Sequence, residues 1–285
     1  MPALSASQQQ FIDERFRAKV NALDLFLQIS NSNVFSARFN ENTSEYVGFE
    51  KFNFTTESTW NKVISGLEGI ILNSNYKEFK TISVAVSNQL FTLVPSALFD
   101  EKELSTYLKF NHLIEDESQF RYYFNKIEAF QAVVIYAIPR ALDFMLQAKL
   151  PPLQLNHFSI PLLEAINIQV WRKQDLLVHI QNNQFEVIYA PNKKLTFFNS
   201  FSYQSTEDFI YFLLYVMEQL QLDRETVNLN LWGEFEEKSA IYEMLYKYIR
   251  SITIGERPKD VQFSAVLSEL PKQYHFSLFN QHLCG

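Results

Sequence analysis

Along most of the chain, apolar and polar positions alternate in short runs, and two stretches do so in the same order. In the first, residues 25–29 fit a strand, Asn31-Ser32-Asn33 a turn, residues 34–39 a second strand and residues 46–54 a third. Thr55 or Thr56 is placed to cap a helix in which Trp60, Val63, Ile64, Leu67 and Ile71 recur at the spacing of one buried face. In the second, residues 176–180, 185–189 and 195–203 give three β-prone runs, with Asn182-Asn183 as a tight turn and Pro191-Asn192 as a break. Ser205 or Thr206 then caps a helix whose first turn carries Glu207 and Asp208, where carboxylates suit the helix dipole.

Set side by side, LFLQISNSNVFSARF…VGFEKFNFTTEST and LLVHIQNNQFEVIYA…LTFFNSFSYQSTED share order, spacing and turn chemistry. A repeat of that length, about 150 residues, predicts two similar domains facing each other across a cleft rather than a solenoid. The first domain is placed at residues 1–170 and the second at 171–285.

Before the first copy, the segment to about Asp24 reads as a polar lead and a short helix. Between the copies, residues 81–86 and 90–94 read as strands and residues 100–110 as a short acidic-started helix. Residues 112–125 read as a surface excursion. Residues 132–138 form a continuous apolar run suited to a covered strand, Pro139 opens a helix, and a strand at 153–158 and a helix after Pro161 follow. After the second copy, residues 226–231 are a strand ending at Trp232-Gly233-Glu234, residues 238–250 a helix and residues 252–254 a strand. The tail from Phe263 reads as helical and could cross back to the first domain.

Composition narrows the function classes. Apolar residues make up 47% and aromatics 15%, with 27 Phe, so the chain buries a core. A net charge of -7 without a basic cluster argues against nucleic acid or an anionic membrane surface as partner. The lone Cys284 makes no intrachain disulfide and no zinc site, and a reducing, cytoplasmic setting is expected. The first residues lack the pattern of a signal peptide, and no apolar run reaches 18 residues, so no membrane span is expected. Only six glycines occur, none in a G-x-G or P-loop pattern, which disfavours a phosphate cradle built from backbone N–H groups.

The stretch VPSALFDEKELSTYLKF, residues 94–110, and the order strand, proline, helix, strand, helix over residues 132–166 carry a resemblance. The chain resembles the actin-like ATPase superfamily, within it the type IV pilus assembly and cell-division actin-like proteins, and is similar to an uncharacterised bacterial family of degenerate members. The resemblance implies an α/β, duplicated ribonuclease H-like fold with two mixed-sheet domains around a cleft and a small inserted subdomain at about 87–128. It also implies where phosphate, magnesium and adenosine would sit. The first D-x-G phosphate loop is matched by Gln28-Ile29-Ser30, the second by His179-Ile180-Gln181, and the Gly-Gly of the adenosine motif by Gly233-Glu234. Gln28, Ser30, His179, Gln181, Gly233 and Glu234 are therefore the candidate cofactor-binding positions, with no catalytic residue and no metal ligand among them. Magnesium prefers carboxylate oxygen, and without it phosphoryl transfer loses its main electrostatic stabiliser.

The plainer readings come first at each position. His179 is read as a structurally satisfied histidine before a ligand or base, since no acidic or Cys partner is visible beside it. Gly233-Glu234 is a strand-to-helix turn before an adenine contact, Cys284 is inert, and the carboxylates at 115–117 and 234–237 are solvated surface. No Ser/His/Asp arrangement, nucleophile elbow or H-E-x-x-H occurs. The expectation is a non-catalytic, protein-binding or scaffold module, with no cofactor and with an unknown protein as partner through residues 87–128. The alternative is a nucleotide-binding sensor or weak ATPase or kinase with a rebuilt site, taking ATP and magnesium.

Overall fold

The computed structural model describes residues 7–54, 59–169, 171–181 and 183–284. It falls into two compact units, one of residues 1–164, 259–269 and 277–285, the other of 165–258 and 270–276.

The first unit opens with β1 (Ser7–Ile12), β2 (Asp24–Ile29), β3 (Asn33–Asn40) and β4 (Glu45–Asn53). Helix α1 (Trp60–Asn73) follows and then β5 (Thr81–Val86). The sheet order is β1-β4-β3-β2-β5-β9, with β9 (Gln154–His157) parallel to β5 and β5 parallel to β2. The hairpins β2–β3 and β3–β4 are antiparallel. Residues 7–12, expected as lead and helix, are instead a strand on the sheet edge, antiparallel to β4. Its run of glutamines suits a strand with one side to solvent, and pairing overrode helix propensity. α1 starts after Thr59 and buries Val63, Leu67, Ile70 and Ile71, while Thr55 and Thr56 lie outside the described residues.

A separate three-stranded sheet interrupts the path between β5 and β9. It consists of β6 (Phe91–Pro95), β7 (Phe120–Ile127) and β8 (Ala132–Pro139), in the order β6-β8-β7, all antiparallel. A short helix, α2 (Leu104–Lys109), packs its Leu108 against this sheet with Val94, Val133 and Ile135. Residues 120–127 are thus not a surface excursion. Tyr and Phe alternating with Arg and Asn make a half-exposed edge strand, which reads as irregular until β8 is there to pair it. Helix α3 (Arg140–Lys149) starts directly after Pro139, as expected.

α4 (Ser159–Ile168) leads toward the second unit, whose sheet contains β10 (Asp175–Gln181), β11 (Gln184–Tyr189) and β12 (Phe197–Ser202). Then come α5 (Thr206–Gln219), β13 (Asn228–Gly233), α6 (Ala240–Tyr248) and β14 (Ser251–Ile254). The order is β12-β11-β10-β13-β14, antiparallel through the first three and parallel from β10 to β14. This repeats, strand for strand, the path β4-β3-β2-β5-β9 of the first unit. α5 opens with a capping box between Ser205 and Asp208. Its Phe209, Leu213 and Val216 pack with Leu176, Val178, Ile180 and, from α6, Leu245 on one sheet face.

The tail from Phe263, expected as helical, is helical only in 3-10 pieces, Ala265–Leu267 and Leu278–Cys284. A two-residue strand, β15 (Gln262–Phe263), pairs with β4, and Leu278–Cys284 is a 3-10 segment against β2, β3 and β5. With aromatic and amide side chains crowded under it, this stretch is held by burial rather than by helical periodicity: Phe279 and His282 pack on Tyr46.

Candidate functional site

In the first unit, the loop between β2 and β3 is folded around its own serine. Ser30 Oγ donates to Asn33 Oδ1 at 2.8 Å and accepts from the backbone N–H groups of Asn33 and Ser32 at 3.0 and 3.2 Å. A short hydroxyl side chain at a turn offers the backbone such a local partner. The amides that would turn outward to an anion are turned inward. Gln28 lies two residues back on β2, 5% exposed, across from Phe35 on one side and Ala85 on the other. Its Oε1 has no hydrogen-bond partner among the described residues.

In the second unit, the hairpin register sets His179 directly opposite Glu186. His179 Nδ1 donates to Glu186 Oε2 at 2.8 Å, and both side chains are buried. Gln181 Nε2 donates to the same oxygen at 3.1 Å, and Ser200 Oγ to Oε1 at 3.0 Å. The acidic partner that the sequence reading did not see is therefore present, seven residues on. A hairpin turning at 182–183 pairs 181 with 184 and hence 179 with 186, so the register alone would have found it. Asn182 lies outside the described residues; Asn183 continues the turn.

Gly233 ends β13 with φ of +104°. A Cβ there would come within 1.9 Å of the Ile180 carbonyl oxygen, so close approach of β10 requires glycine. The Gly233 N–H donates to Gln273 O at 2.9 Å and the Glu234 N–H to Ile180 O at 2.8 Å. His275 Nδ1 lies 3.8 Å from Glu234 Oε1. Beside this turn, at the ends of β13 and β14, is a cavity of about 620 Å³ lined by Phe235, Ile254, Gly255, Gln273 and Tyr274 among others.

Within the second unit the structure thus joins His179 and Gln181 through Glu186 and sets Gly233 and Glu234 against residues 273–275. In the first unit Gln28 and Ser30 are near neighbours along the chain, but Ser30 spends its hydroxyl on its own loop. Among the described residues no three of His, Cys, Asp and Glu gather as a metal-binding group. Among the described residues no helix is long and apolar enough to cross a membrane. Cys284 has its thiol pushed up to about 12, mainly by burial.

The comparisons place this architecture. A crystal structure of a Bacteroides thetaiotaomicron protein with actin-like ATPase fold and unknown function superposes with a TM-score of 0.74 at 21% identity, over 83% of this chain and 92% of that one. The PilM-PilN type IV pilus biogenesis complex gives 0.62 at 12% identity, over 92% and 98%. At such identities the likeness concerns fold, and the chain has the actin-like ATPase fold the sequence resemblance implied. No curated protein matches the sequence. A family model described as "Protein of unknown function (DUF3822)" matches residues 13–252, and the chain belongs to that family.

Proposed function

We propose that this chain is a non-catalytic protein of actin-like fold that binds another protein through the inserted three-stranded sheet. Large apolar side chains left in solvent carry this reading: Leu98, Phe110 and Leu113 are 69%, 81% and 89% exposed within one stretch of the insertion. Singly exposed apolar residues need no explanation, but three in so short a segment favour an interaction surface. The insertion extends past residue 128, because β8 is the central strand that both β6 and β7 pair with. PilM, a structural neighbour, is seen in a complex with PilN, which lends the reading a precedent in fold only.

The loss of catalysis is supported by the groups around the motif positions. Gln28 and His179 stand where carboxylates would serve magnesium, and the Ser32 and Asn33 amides are engaged by Ser30. Glu186, the buried carboxylate nearby, is already committed to three donors. These residues do not fit a magnesium-bound triphosphate. The cavity beside Gly233 favours the second reading, a nucleotide sensor.

Two measurements test these readings. Recovery of a partner from cell lysate is expected with the wild type and lost with Phe110→Ser/Leu113→Ser, while circular dichroism stays unchanged; equal recovery would sink the protein-binding reading. The melting temperature is expected not to move with millimolar ATP and magnesium. A ligand at 100 times its dissociation constant stabilises by ~2.7 kcal/mol, so a clear rise would establish the sensor reading instead.

A further inference from the structure

The face of the first sheet that carries Asp24, Phe26 and Gln28 also carries Thr81 and Ser83 on β5 and Gln154 on β9, since these residues are paired across the strands. The segment Leu278–Cys284 lies against this face, and between them is a cavity of about 490 Å³. Its polar lining is incompletely satisfied. Ser83 is 5% exposed and its Oγ has no hydrogen-bond partner among the described residues. Gln281 is 1% exposed; its Nε2 donates to Leu27 O at 3.1 Å, but its Oε1 has no partner among the described residues. Leaving such groups buried and unmet is costly, of order 1–3 kcal/mol each. A site that retains two of them around one cavity is built to be completed by something that enters it.

The chemistry of the walls says what that is. Asp24 is buried, and its Oδ1 accepts from Thr81 Oγ1 at 2.6 Å. Lys80 pairs with Glu41 and also lies within electrostatic reach of Asp24, and with two carboxylates against one ammonium the lining is net acidic. Gln281 offers an acceptor, Ser83 a hydroxyl, and Phe26 and Phe39 contribute ring surface. Acceptors, an excess of carboxylate over ammonium and aromatic walls together complement hydrogen-bond donors and positive charge, not an anion.

We propose that this cavity binds a small organic ammonium compound bearing a hydroxyl group, with the ammonium on Asp24 and the hydroxyl between Ser83 and Gln281. The site is separate from every motif position discussed above except for its neighbour Gln28, and it does not depend on the partner-binding reading.

The test is thermal denaturation of the full chain in phosphate buffer with ethanolamine, glycerol or acetate at concentrations up to 100 mM. Ethanolamine at ten times its dissociation constant is expected to raise the melting temperature by roughly 3 °C, with glycerol and acetate far less effective. Ser83→Ala removes the unmet hydroxyl, so it should fold at least as well and lose most of the ethanolamine effect. Asp24→Asn keeps the oxygen that accepts from Thr81 and removes the charge, so the effect should disappear there too, and this variant carries the test if Ser83→Ala fails to fold. The proposal is overturned by an absent shift in the wild type, by an equal shift with glycerol, or by a shift that survives in both variants.

Discussion

Two buried histidines show how the same side chain serves different ends at the scale of single residues. His157 is fully buried: its Nε2–H donates to the Asn88 carbonyl at 3.0 Å, and its Nδ1 accepts from Ser159 Oγ at 2.7 Å. Burial depresses its pKa from 6.5 to about 3. Between those values the unfolded chain binds a proton that the folded chain does not, so stability is lost as pH falls through that window. The slope from this one group is at most ~1.4 kcal/mol per pH unit. Urea denaturation at several pH values between 6.5 and 4 should show this decline in the wild type and a flatter limb in His157→Asn. His179 instead has a carboxylate opposite it. Glu186→Ala would strand the buried His179 donor and take the shared acceptor from the half-buried Gln181 and Ser200, and we expect a loss of about 3 kcal/mol in urea denaturation at neutral pH. A loss under 1 kcal/mol would mean that water replaces the carboxylate.

At the scale of elements, the two sheets keep one arrangement by different residues. In the first, Ser36 on β3 faces Glu50 on β4; in the second, Glu186 on β11 faces Ser200 on β12. The carboxylate and hydroxyl have changed strands, yet each pair is hydrogen-bonded within its sheet, the first fully buried and the second with its serine half-buried. Around Glu50 the additional partners are Arg38 and Gln10 rather than a histidine. The end of β13 is equally constrained. Gly233→Ala would place a methyl group against the Ile180 carbonyl at a φ that disfavours side chains, and a cost on the order of 3 kcal/mol is expected. Chemical denaturation measures it, and a near-neutral result would show that β10 and β13 can separate without penalty. In the sequence this glycine reads as a strand-to-helix turn, and by resemblance as the match to an adenosine motif. The strand packing that demands it was not legible there, because the clash is with a residue more than fifty positions earlier.

For the molecule as a whole, the first unit is assembled from three separated pieces of chain. Phe279 is 1% exposed among Tyr46, Phe49 and Phe263, so the late segment completes a core begun by the first hairpins. Phe279→Ala is expected to cost about 4 kcal/mol, as aromatic truncation in a packed core does, measured by urea denaturation. A value below 1 kcal/mol would mean that the segment rests on the sheet without supporting it. Local pattern determined the repeated strand–strand–strand–helix order, the turn residues, the cap of α5 and the apolar β8, because alternation, turn chemistry and capping act over a few residues. Only the tertiary structure decided that residues 7–12 and 120–127 are edge strands, that Glu186 serves His179, and which strands the late segments of the chain meet, β2, β3 and β5 for Leu278–Cys284 and the end of β13 for Gln273. Those outcomes depend on partners distant in sequence or on register, and a strand edge or a buried carboxylate acquires its meaning from what pairs with it.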